Sequence, residues 1–250
     1  MKVFLALFIS AIYLIGDAKI FVYHRFGDDR YPQTNISIKH LREHFDFLKK
    51  HNYEVVPLSK IVEKLKNKEE IPQKWVSLTI DDNFKSFYKN GLPIFKEYNY
   101  PFTLFVYVEA SQKGYGDYMS FSEIKETSNY GEIALHSYKH PKLTTLTKEQ
   151  VLNDTKKAFN TFEKLIGEKP KYYAYPFGVY NSSVKEIISS FGFDAIVNLK
   201  ATPIDKNSNL LDLPRYMIYD NTKMADKLDI DTKSYNHEKV EKTTFKFMSE

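Results

Sequence analysis

Apolar runs alternate with helix-spaced patterns along most of the chain. The run KIFVYH (19–24) reads as a short buried strand ending at a polar loop, RFGDDRYPQTN. Ser37 then precedes Leu41, Phe45 and Leu48, which share one helical face, so the spacing predicts a capped helix through LREHFDFLKKH. YEVVPLS predicts a second strand and turn, and residues 59–68 a helix with Ile61, Val62 and Leu65 apolar. KWVSLTIDDN predicts a strand that ends in two carboxylates. FKSFYKNGLPIFKEYN predicts a helix interrupted near Gly91, Leu92 and Pro93, and FTLFVYVEA an apolar strand.

The alternation continues. FSEIKETSNY predicts a short helix, and GEIALHSYKH a strand running into a loop. The clearest helix is TKEQVLNDTKKAFNTFEKLIG, where Val151, Phe159, Phe162, Leu165 and Ile166 recur at helical spacing before Gly167 stops it. YYAYPFG predicts strand plus turn, SSVKEIISSFGF a helix, DAIVNL a strand and LPRYMIY a further extended segment. Strands alternating with helices indicate an α/β fold with a mainly parallel sheet. About seven or eight strand candidates suit a closed or nearly closed (β/α) barrel as well as an open sheet. Beyond Asp220 the chain turns polar, and its tail, with EKTTFKFM, joins no pattern.

The N-terminus differs from the rest. Lys2 is followed by VFLALFISAIYLI and then Gly16, Asp17 and Ala18. A basic start, an apolar core and a small-x-small site predict a signal peptide over 1–18, cleaved after Ala18. The alternatives are an uncleaved anchor or a buried first strand. The expected mature chain, 19–250, has no second long apolar run and no Pro-, Gly- or Ser-rich linker, so a single exported domain without a membrane span is expected, periplasmic or extracellular. The 250 residues suffice for one substantial core. There is no cysteine, which removes disulfides and thiolate catalysis. The net charge of +4 is spread without an Arg cluster, and no G-x-G-x-x-G follows the first strand, so nucleic-acid and dinucleotide binding have no support. No serine nucleophile elbow is present either.

The chemistry-bearing residues follow strand-like runs. Asp81 and Asp82 end one, His136 follows another with His140 four residues on, and His24 follows the first. One Asp and two His can hold a divalent metal with coordination positions left open, as a catalytic site requires. The second carboxylate can then act as a base beside that metal. Taken singly, an Asp-Asp pair can also be a turn or helix cap, and two nearby histidines can be surface or core residues.

TIDDN (79–83) resembles the T-F-D-D-G motif of the polysaccharide deacetylases, the NodB-homology family. HSYKHP (136–141) matches that family's H-S/T-x-x-H-P motif, and YPFG (175–178) resembles its third motif, R-x-P-Y-G. GLPIFKEYNYPFTLFV resembles the helix and strand between the first two motifs, and the likeness spans roughly 19–216. The resemblance implies a distorted (β/α) barrel of about seven strands and metal-dependent removal of N-acetyl groups from amino sugars. It implies Asp81 as base and Asp82, His136 and His140 as ligands of one divalent metal. Zinc is the default, with iron, cobalt or nickel also suited to such a set.

Three departures from the family pattern stand out. Asn83 replaces the glycine of the first motif, and Asn tolerates a left-handed backbone better than most residues. Ala174 replaces the arginine of the third motif, which in the family holds the base; Arg215, in LPRY, is the replacement candidate. The late Leu-x-His motif that supplies the general acid is missing, and His237 fits it poorly. FVYHRFGD (21–28) resembles the start of the branch acting on poly-β-1,6-N-acetylglucosamine and related exopolysaccharides. That branch carries the acid-bearing strand first, in circularly permuted order, which implies His24 as the acid; the alternative is a loop histidine holding the RFGDD turn.

The expected substrate is therefore an N-acetylated glycan polymer. A backbone N–H, such as that of Tyr138, would face the oxyanion. Tyr175, Phe177 and Tyr180 would form an aromatic wall for a sugar ring, unless Phe177 is core. Asp28 or Asp29 would contact sugar hydroxyls or shape the turn. Peptidoglycan or chitin oligomers are alternative substrates. An inactive carbohydrate-binding protein of the same fold is the alternative that the missing arginine favours. Nothing in the sequence specifies the oligomeric state.

Overall fold

Residues 18–229 are described by a computed structural model. The predicted leader, apart from Ala18, and the tail with His237 and EKTTFKFM lie outside the described residues. The chain opens with β1 (Lys19–Tyr23), a small parallel pair β2 (Arg25–Phe26) and β3 (Asn35–Ile36), then α1 (Ile38–Lys50), β4 (Glu54–Val55), α2 (Leu58–Lys66) and β5 (Trp75–Asp81). A π-helical turn, Phe87–Gly91, leads into α3 (Leu92–Tyr98) and β6 (Thr103–Val106). Then come the short helices α4 (Val108–Gln112) and α5 (Phe121–Thr127), β7 (Glu132–Leu135), the long α6 (Lys148–Ile166) and β8 (Tyr172–Ala174). The described chain closes with α7 (Ser182–Ser189), β9 (Ala195–Val197), β10 (Tyr216–Met217) and α8 (Met224–Lys227).

Local chemistry sets the element ends. Ser37 accepts the N–H of His40 and starts α1. Thr147 and Gln150 form a reciprocal capping box at α6, and Gly167, at φ 86°, ends that helix in the left-handed conformation that glycine adopts without strain. Two expectations are corrected here. FTLFVYVEA is a strand only through Val106; from Val108 it is helical. The segment around Gly91 is not broken. Pro93, with no N–H to donate, sits at the start of α3, and the preceding turn widens into π geometry rather than stopping.

The strands form one curled parallel sheet in the order β10-β1-β5-β6-β7-β8-β9, with β4 on the first rungs of β5. The two ends of this path approach each other: Leu213 makes an isolated parallel bridge to Val197 of β9 before its segment enters β10 beside β1. The result is the expected NodB-like distorted barrel, partly open, with a seam held by little pairing.

Period-two alternation sorts the side chains into two layers. Val76, Leu78 and Ile80 of β5, Leu104 and Val106 of β6 and Tyr173 of β8 join the large aromatic core under the helices, with Phe45, Phe87, Phe95 and Phe102. The opposite parity carries many small or polar groups, Ser77, Thr79 and Asp81 on β5, Ala134 on β7, Ala174 on β8 and Ala195 on β9, beside the larger Ile20, Phe105 and Val197. Leu58, Ile61, Val62 and Leu65 of α2 belong to the same cluster as Ile20, Ala134, Ala174 and Ala195. The small inner residues leave the room that a fully buried arginine, Arg215, occupies.

Candidate metal centre

Asp81 is the last residue of β5 and shares the inward parity of Ser77 and Thr79. On a continued strand Asp82 would point away. Its left-handed backbone, φ 69°, followed by Asn83 at φ 42°, turns the chain so that both carboxylates serve one centre. Asn83 takes the glycine's conformation and adds bonds that glycine cannot make. Its Oδ1 accepts the N–H of Tyr107 (2.6 Å), and its Nδ2 donates to Ser111 (2.9 Å). His136 adds one rung to β7 by donating its N–H to Val106 (2.9 Å), which keeps it on the inward parity of Ala134. The loop then bends through Ser137 (φ 66°) and His140 (φ 54°), and the Ser137 hydroxyl accepts the His140 N–H (2.9 Å). Asp154 of α6 accepts the N–H groups of Tyr138 and Lys139, both at 2.9 Å, and pins the loop to the helix. Four of the residues named here, with Phe177, hold non-glycine left-handed backbone, the concentration of local strain that functional sites carry.

Three donor atoms converge. Asp82 Oδ1 lies 3.1 Å from His140 Nε2 and 3.5 Å from His136 Nε2, and the two Nε2 atoms are 3.1 Å apart. Ligands about 2.0–2.1 Å from a tetrahedral ion lie roughly 3.3–3.4 Å from each other, so the triangle has the size of one metal-ligand face. His136 Nδ1 lies 2.9 Å from the Ala174 carbonyl, which takes its proton and leaves Nε2 to face the centre. The electrostatics agree. Burial pushes Asp82 up to about 6 and His136 down to about 3, and it lowers His140 as well. Neutral imidazoles are the ligand form. Asp82 Oδ1 is buried without a hydrogen-bond partner. A buried carboxylate oxygen facing two neutral imidazoles lacks positive charge, and a divalent cation supplies it. The residues present therefore fit the metal, and no other group of three such ligands occurs among the described residues.

Asp81 lies beside this face, its Oδ2 3.8 Å from His136 Nε2. Arg215 grips it with two parallel hydrogen bonds, Nη1 to Oδ1 and Nη2 to Oδ2, both 2.7 Å. The same guanidinium donates to Thr79 Oγ1 (3.1 Å) and the Asn198 carbonyl (3.2 Å). Burial, the largest single influence, would raise Asp81, but the Arg215 charge and hydrogen bonds, together with the neighbouring His136, outweigh it and hold the carboxyl well below the usual carboxylate range. His24 follows β1, half-buried. Its Nδ1 is buried without a partner.

The expected substrate contacts divide. Phe177 is 56% exposed, with its ring centroid 4.6 Å from that of His140, so it stands at the mouth and not in the core. Tyr180 stacks on Tyr175 at 4.4 Å and donates its hydroxyl to Asp212. Tyr175 itself is fully buried and cannot serve as a wall. Tyr138 is corrected as well: its N–H is engaged by Asp154, its hydroxyl donates to Gln112 (2.8 Å), and neither is left for an oxyanion. Asp28 is held by Arg25 (3.0 Å) and Arg30 (2.8 and 3.0 Å), while Asp29 accepts from Asn35 (3.1 Å), so both shape the turn after His24. Two residues went unnoticed in the sequence. Tyr107, whose ring lies 5.5 Å from that of His140, follows an apolar strand just as His24 and His136 do, and that placement could have found it. Asp154 sits on a helix with no local mark of its role.

Residues 68–196 match the polysaccharide deacetylase family. The poly-beta-1,6-N-acetyl-D-glucosamine N-deacetylase of Staphylococcus aureus is 24% identical over 213 residues, covering 80% of this chain and 73% of that protein. Among solved structures, the Streptococcus pyogenes deacetylase PplD superposes with a TM-score of 0.78 at 21% identity, over 86% of this chain and 97% of that one. IcaB from Ammonifex degensii superposes with a TM-score of 0.73 at 24% identity, over 84% of this chain and 94% of that one. These structures share the fold, and the family match covers just over half of the sequence, including both aspartates and both histidines of the centre. The chain belongs to the polysaccharide deacetylase family.

Proposed function

We propose that the chain removes N-acetyl groups from an N-acetylglucosamine-containing polysaccharide, with poly-β-1,6-N-acetylglucosamine or a related exopolysaccharide as substrate, and that it is exported to act there. The observation that carries the reading is the ionised, arginine-held Asp81 set beside a three-donor metal face. Similarity to the staphylococcal poly-N-acetylglucosamine deacetylase supports the polymer class.

Asp82, His136 and His140 would hold one divalent cation, zinc in the first instance. When bound, it lowers the pKa of a water molecule and polarises the amide carbonyl. Asp81 receives the proton of the attacking water. Arg215 uses one N–H for each Asp81 oxygen, so both oxygens keep a lone pair for that transfer. The grip keeps Asp81 ionised and fixes its direction. His24, as imidazolium, protonates the nitrogen as the C–N bond breaks, giving the free amine and acetate. Phe177 offers aromatic surface at the mouth for the sugar, and the partly exposed Tyr180, three residues on, is the further candidate.

Arg215 also bears on the inactive reading. The missing motif arginine favoured it, and the guanidinium of Arg215, just before β10, makes the contact to the base that Ala174 cannot. The test is acetate release from poly-β-1,6-N-acetylglucosamine, chitin oligomers and peptidoglycan by the purified chain, with metal and after chelation. Metal-dependent release from the first polymer above the others is expected. Release unaffected by chelation, or none from any polymer, would overturn the reading.

A further inference from the structure

Arg215 reaches Asp81 from a sparsely paired part of the sheet. β10 pairs with β1 at two positions, and its preceding segment touches β9 through a single bridge, Val197 to Leu213. Asn198, the residue after β9, is fully buried and uses every polar group at this seam. Its N–H donates to the Leu213 carbonyl (2.8 Å), and its carbonyl accepts Arg215 Nε (3.2 Å). Its side-chain Nδ2 donates to the Asp212 carbonyl (3.1 Å) and to Asp212 Oδ1 (2.6 Å), while its Oδ1 accepts the Lys200 N–H (2.7 Å). Asp212 is in turn held by the Tyr180 hydroxyl, Lys185 (3.3 Å) and Lys200 (3.2 Å).

We propose that Asn198, locked by Asp212, is a positioning residue that sets the distance and direction of Arg215 toward Asp81. The proposal rests on the reading of Asp81 as base and Arg215 as its holder. In the family motif the arginine comes from the segment where Ala174 now stands, on β8. Here it comes from across a seam, so the seam needs a clamp that side chains provide. Asn198 supplies it: the residue whose carbonyl receives the guanidinium also ties down the segment leading to Arg215. Its amide is the right group, because it donates to Asp212 and accepts from Lys200 at once, which neither a carboxylate nor a hydrophobe can do.

The experiment uses the metal-loaded chain and acetate release from an N-acetylglucosamine oligomer. Asn198→Ala should lower kcat by roughly tenfold to a hundredfold, the cost of a small misplacement of a catalytic contact, with KM and bound metal within about twofold of the parent. In an Arg215→Lys background the same change should cost less than about twofold, because residues acting through one contact are not additive. Asp212→Ala, at a partly exposed position, should repeat the pattern, and Asp212→Asn, which keeps an acceptor for Asn198, should lose less. Losses that multiply in the double variant, or an Asn198→Ala and Asp212→Ala pair with unchanged kcat, would overturn the proposal. Full turnover by Arg215→Lys alone would instead overturn the reading of Arg215 on which it rests.

Discussion

Arg215 and Asp81 meet through two parallel hydrogen bonds of 2.7 Å, although Arg215 immediately precedes β10 and Asp81 ends β5, strands that β1 separates. Both are buried, and each neutralises the other. A lysine at position 215 keeps the charge but cannot make both bonds. Arg215→Lys should lower kcat by about a hundredfold or more, with bound metal unchanged. Arg215→Ala should also destabilise the fold by about 3–5 kcal/mol, since it leaves a buried carboxylate unpaired. Turnover assays and urea unfolding measure the two effects.

Removing one donor of the triangle should release the metal while leaving the sheet intact. Asp82→Asn or His140→Ala should bind zinc at least a hundredfold more weakly, read by competition with a chromophoric chelator. Asp154→Ala, which frees the Tyr138 and Lys139 N–H groups and loosens the histidine loop, should weaken zinc about tenfold to a hundredfold without touching a ligand.

The metal-free protein should lose stability as it is acidified below about pH 6.5. Burial lowers His44, His136 and His140 in the folded state, so between the folded and unfolded values the unfolded chain binds more protons and acid favours it. Asp82, its folded value raised to about 6, and Asp154, raised by burial, oppose this, because they let the native state take up protons first. Three imidazoles outweigh two carboxylates, and the net slope should be on the order of 1 kcal/mol per pH unit. Zinc should add stability that is greatest near neutrality and fades on acidification, as protons compete for its ligands. Thermal melts from pH 7.5 to 4.5, with and without zinc, check both signs.

Asn83→Gly restores the family residue and relieves a positive φ, yet it should destabilise. Glycine cannot accept the Tyr107 N–H or donate to Ser111, and both groups sit in a largely closed site. The expected loss is about 1–2 kcal/mol by chemical denaturation, with turnover reduced as Tyr107 loosens beside His140.

What the sequence made legible follows from local physics. Alternating apolar patterns marked nearly every strand and helix, because burial on a two-layer scaffold writes itself into period and parity. Asp82, His136 and His140 were legible because their motifs place ligand-type side chains just past strand ends. Features that depend on neighbours distant in sequence were not written locally. Tyr138 looked available until Asp154, on another element, took its N–H. Tyr175 and Tyr180 sit in one motif-bearing stretch, but the first is fully buried and the second partly open. The π turn at Phe87–Gly91 escaped because Pro93 signals a break from sequence, while packing of Phe26 and Phe87 against Gly91 keeps the chain coiled.

The account turns on one cation seated among Asp82, His136 and His140. Anomalous diffraction at the zinc edge from crystals of the zinc-loaded protein locates it directly. A single peak within about 2.0–2.2 Å of Asp82 Oδ1 and both Nε2 atoms is predicted. A peak elsewhere, or none at full zinc loading, would contradict the account.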